Sequence, residues 1–68
     1  MPRNRLLAQI DEELVQARVS LTFWQAQTLL LTEMPLLLAH AERHVAFREA
    51  EIRQLLEAHE LLSETPNS

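Results

Sequence analysis

The chain has 68 residues, no cysteine, no glycine and a formal net charge of −4. That excludes a multidomain protein, disulfide staples, cysteine-based zinc sites and glycine-rich phosphate loops, and it weighs against nucleic acid as the main partner, because phosphate binding needs clustered positive charge. Hydrophobic residues make up 47% of the chain, more than one monomer this small can hide, so the composition calls for a second chain.

Residues 1–4 read as an N-terminal extension. The opening "MPRNRLLAQIDEEL" loses its apolar run at Asp11, Glu12 and Glu13, so it is neither a secretory signal nor a transit peptide. The longest uncharged run, residues 19–32, is too short to cross a bilayer. No membrane insertion is expected, and the expected location is cytoplasmic. Between the prolines, leucine, alanine, glutamate, glutamine and arginine dominate, all good helix formers.

A first helix is predicted over about 5–32. Its heptad series runs Leu7, Ile10, Leu14, Ala17, Leu21, Trp24, Thr28 and Leu31, an a/d alternation spoiled only by Thr28. A turn follows at about 32–35, with Pro35 in the first turn of a second helix over about 35–62. There the series is Leu38, Ala41, Val45, Arg48, Ile52, Leu55, His59 and Leu62, out of phase with the first. Residues 63–68 read as a polar, flexible tail.

Folding the chain back pairs positions whose numbers sum to 69, so that Trp24 meets Val45, Ala17 meets Ile52, Leu14 meets Leu55 and Leu21 meets Arg48. Large residues mostly face small ones, as close packing requires. The same register sets Arg18 opposite Glu51 as a surface ion pair. The fold class is therefore all-α, an antiparallel two-helix hairpin with arms roughly 40 Å long.

A second apolar stripe, Val15, Val19, Phe23, Ala26 and Leu30, lies almost opposite the first on helix one. Ala39, Ala46, Phe47 and Ala50 form a weaker one on helix two. A helix apolar on two faces needs cover on two faces. The expected cover is a second copy, giving a dimeric four-helix bundle, or else a helical protein partner. Val15, Val19, Phe23, Ala26, Leu30, Ala46, Phe47 and Ala50 are the predicted interface residues.

His40 and His44, four apart, share one helix face, as many metal sites require. Glu51 is about 10 Å further along the axis than His44, and "HAERH" lacks the glutamate that the zincin pattern places directly after its first histidine. The pair is therefore read as solvated or interface histidines able to titrate near neutral pH. As metal ligands they would serve only as two pairs meeting across a dimer axis. Arg48, in the seam where leucine is expected, reads as a specificity device that snorkels or meets an acid from a second chain. Trp24 reads as a core anchor over Val45, and His59, facing Ile10, as reaching solvent. No serine or threonine is seen with a histidine and an acid in matching geometry, so no catalytic residue, cofactor or enzyme activity is expected.

The segment "FREAEIRQLL", residues 47–56, looks like the second helix of the small phycobilisome-degradation adaptors. Its "AFREAEIRQL" is nearly as similar to part of the SlyX coiled-coil family. Two unrelated families sharing one stretch mark it as generic helix, and no membership follows. The overall plan is similar to the plasmid copy-control Rop proteins in architecture, which implies nucleic-acid binding as an alternative; the arginines that would serve it, Arg3, Arg5, Arg18, Arg43 and Arg53, are scattered among acids. The leading expectation is a non-enzymatic interaction module: an adaptor, regulator or dedicated chaperone working through helical apolar surfaces.

Overall fold

The computed structural model describes residues 2–64, which form helix α1, Pro2–Leu30, and helix α2, Pro35–Glu64, packed against each other as a hairpin. Helix α1 starts earlier than the predicted residue 5. Proline at the first helical position costs no hydrogen bond, and nothing between Pro2 and Ile10 interrupts the helix. Helix α2 runs two residues past 62, carrying Ser63 and Glu64 of the expected tail; residues 65–68 lie outside the described residues.

The chain reverses without glycine. Leu31 N–H still donates to Gln27 O at 2.9 Å, Met34 N–H donates to Leu31 O at 2.9 Å, and Leu38 N–H donates to Met34 O at 2.8 Å. The middle bond closes a four-residue turn over Leu31–Met34. No described residue has positive φ, which leaves a type I turn, the class that Thr32 and Glu33 adopt without strain. Pro35 then enters α2 with its ring already set at the helical φ.

Every member of both heptad series is buried or half-buried. The register follows as well: the cross-helix contacts Asp11–His59 and Trp24–His44 join residues whose numbers add to within one of 69. Yet the core is thin. Among the described residues, only Leu14, Ala17 and Ala41 fall below a tenth of their free exposure, and no large side chain is fully enclosed. The molecule extends 54 × 14 × 12 Å with a radius of gyration of 15.7 Å, against about 11 Å for a compact chain of this length. No described helix is long and apolar enough to cross a membrane.

Ala41, at 0% exposure, is the most completely buried of the described residues. Ala41→Leu is expected to destabilise the hairpin by about 1–3 kcal/mol through overpacking, read from a urea melt; an unchanged midpoint would mean that the seam is loose there.

Candidate interaction surface

On α1, Val15 is 61% exposed, Val19 65%, Phe23 54% and Leu30 75%. Ala26 is exposed beside them. On α2, Ala46 and Phe47 are exposed and Ala50 is half-buried. The α1 stripe lies opposite the heptad seam on the wheel, so α2 cannot reach it. A further apolar cluster forms where the chain reverses, with Leu29, Met34, Leu36 and Leu37 exposed beside Leu30. This tip escaped the sequence reading. Its signal was present in "TLLLTEMPLLLAH": only one leucine of each triplet, Leu31 and Leu38, belongs to the seam, so the others have nowhere to go.

Near the tip an aromatic patch crosses from one helix to the other. Trp24 meets the Phe23 ring edge-on, with centroids 5.2 Å apart. The indole then lies flat against the His44 imidazole, at 4.0 Å and 6° between planes. His40 stands edge-on to both, 5.8 Å from Trp24 and 4.6 Å from His44. His40, Arg43, His44 and Phe47 line a shallow hollow beside this stack. The expected layer of Trp24 over Val45 is thus refined, because the indole's flat face takes His44, one position along. A seam diagram pairs a and d positions only, whereas a two-ring indole reaches over the flank to the neighbouring g position.

The surroundings of His44 are short of negative charge. Its pKa is lowered from the ordinary 6.5 by desolvation, then by the charges of His40, Arg48 and Arg43. Helix α1 offers no compensation, since residues 19–32 carry no charged side chain. Stability linked to this group is therefore complete above pH 6.5 and is lost as pH falls from 6.5 through the lower folded value. Among the described residues, no group of three or more histidine, cysteine, aspartate or glutamate side chains is placed to hold a metal ion.

Arg48 sits in the seam, as its spacing predicted, with 29% of its side chain exposed. Its Nη1 donates to Glu51 Oε1 at 2.6 Å, and its guanidinium carbon lies 5.2 Å from the centroid of the Phe47 ring. Within the hairpin, the acid it meets comes from its own helix, one turn on. Glu51 is thereby paired within α2, so the expected Arg18–Glu51 contact is replaced by a shorter local one. The Nε of Arg48 is buried with no hydrogen-bond partner, a cost that a pure specificity device would carry.

At the open end, His59 does not simply reach solvent. Its Nε2 lies 3.2 Å from Asp11 Oδ1, and its Nδ1 lies 3.4 Å from Ser63 Oγ. This acid–imidazole–hydroxyl line, absent from the sequence reading, needed the fold to bring Asp11 to α2. Asp11 is 63% exposed and Ser63 is also exposed. Its Asp11–His59 step joins α1 to α2, and its Ser63 step stays within α2. Compared with family models, curated proteins and solved structures, the chain matches none.

Replacing Arg48 by leucine removes the unpartnered Nε and fills the seam. The expected result is a hairpin more stable by about 1 kcal/mol, because the apolar area gained in the seam outweighs a partly solvated ion pair, checked by thermal melting; a clear loss would show the Arg48–Glu51 pair to be a structural necessity.

Proposed function

We propose that this chain is a non-enzymatic interaction module, an adaptor, regulator or dedicated chaperone of the cytoplasm, whose hairpins pair through their apolar faces into a four-helix bundle. The observation that supports this reading is area. The hairpin leaves 5390 Å² accessible, whereas a folded monomer of its mass, 7.9 kDa, shows about 4,400 Å². The excess, roughly 1,000 Å² per chain, is close to the roughly 800 Å² that each partner buries in an ordinary specific interface. Val15, Val19, Phe23 and Phe47 supply the large apolar side chains for it. Burying a side chain of this size is worth about 1.5–3 kcal/mol, and the seam alone encloses none completely.

Sedimentation of the purified chain at tens of micromolar is expected to show a dimer, and Phe23→Asp to shift it to monomer. A strict monomer that keeps its full helicity would remove the bundle.

The exposed leucines of the tip favour a second contact, with a helical protein partner. They lie at one end of a long molecule, beyond the middle of any side-by-side pairing. Leu36→Asp is expected to leave the dimer intact and abolish partner capture in a pull-down. If capture survives, the tip is not the docking point.

The Asp11–His59–Ser63 line is proposed as structural. A working nucleophile would need enclosure and donors for a developing oxyanion, and Ser63 is exposed in the last turn of α2. Labelling by a fluorophosphonate probe should therefore be no greater in the native chain than in His59→Ala. Selective labelling of Ser63 would overturn this.

A further inference from the structure

We propose that the Trp24–His44 stack makes the aromatic patch a proton-gated interface, open to a second copy while the His44 imidazole is neutral and closed to it once His44 carries a proton. The gate itself stands on the geometry of one hairpin; only its effect on assembly rests on the self-association reading.

The argument begins with what surrounds the ring. His44 is half-buried and lies flat on Trp24 at 4.0 Å, so one of its faces has exchanged water for indole. From its own helix it faces His40, with ring centroids 4.6 Å apart, and the guanidinium groups of Arg43 and Arg48 act on it. Further along the same helix, the Glu51 carboxylate is held by Arg48 at 2.6 Å. From α1 the facing stretch, residues 19–32, brings only neutral groups, its nearest charges being Arg18 and Glu33 at either end. An imidazolium formed at His44 therefore lands among cations with no free carboxylate opposite.

One attraction works the other way, because the indole face welcomes a cation. Against it stand desolvation and three positive or potentially positive neighbours, and the resulting direction for His44 is downwards. The penalty grows on assembly. In a two-fold contact whose axis passes through this patch, each subunit's patch meets the other's, doubling the imidazoles and arginines and withdrawing the water around them. The exposed Phe23 and Phe47 rings, which flank the stack, supply the apolar area that neutral histidines leave usable.

The test combines a direct titration with an assembly measurement. In an NMR titration of the histidine ring protons, His44 is expected to have its midpoint below 6.5, and His40→Gln to raise that midpoint. This variant alters an exposed side chain and leaves the stack in place. A His44 midpoint at or above 6.5 overturns the gate. In sedimentation at about pH 7.5 and about pH 5.5, where most carboxylates remain ionised, the dimer dissociation constant of the native chain is expected to rise roughly threefold or more on acidification. His44→Gln should lose most of that rise, and full pH dependence in this variant overturns the proposal.

A monomer at both pH values overturns the self-association reading alone. The gate is then read from the melting temperature of the hairpin. A larger fall on acidification in the native chain than in His44→Gln supports it, and equal falls overturn it.

Discussion

One seam between two helices is the constraint on which the rest of this structure depends. A helix pair can shield a side chain from two sides at most, so even the members of a faultless heptad series stay partly wet. Among the described residues, Leu14 and two alanines are the only side chains that the seam buries. Hydrophobic stabilisation scales with the apolar area removed from water, and ordering each residue costs a comparable amount in entropy. A hairpin of this size is therefore poorly stabilised by its seam alone, and apolar residues on its outer faces are consistent with a molecule that completes its core by association.

The aromatic patch shows how little surface there is to divide between roles. Trp24 holds α1 against α2 through His44 and also carries Phe23 to the surface. In a larger protein these tasks would fall to separate residues, because the core would be insulated from the surface by a further layer. In a structure one seam deep, a change in protonation at His44 is felt both by the helix contact and by the exposed face. Polar residues in the seam follow the same logic. Arg48 is tolerated because its head lies near solvent and meets Glu51, while its stem covers apolar area.

The two ends of the hairpin differ in kind. At the open end, His59 lies against Asp11 across the helices and hydrogen-bonds Ser63 along its own helix. At the closed end, a glycine-free turn is surrounded by exposed leucine and methionine. Even a fully charged exposed pair contributes only about 0.2–1 kcal/mol, so the open end is fastened lightly, whereas the covalent turn keeps the tip together regardless. A rigid, apolar tip on a rod-like body is a suitable shape for presenting a contact to a partner.

The helices, the reversal before Pro35, the inward series and the pairing register were all legible in the sequence, because each depends on local periodicity and on proline's fixed φ. The exposed stripe of Val15, Val19 and Phe23 was legible for the same reason. The Trp24–His44 stack, the Asp11–His59–Ser63 line and the choice of Glu51 by Arg48 over Arg18 were decided only in three dimensions. They turn on side-chain reach, ring orientation and competition between partners at flanking positions. Helical spacing places residues on a face, but which of several nearby groups a long or flat side chain selects depends on packing between helices, and that belongs to the tertiary structure.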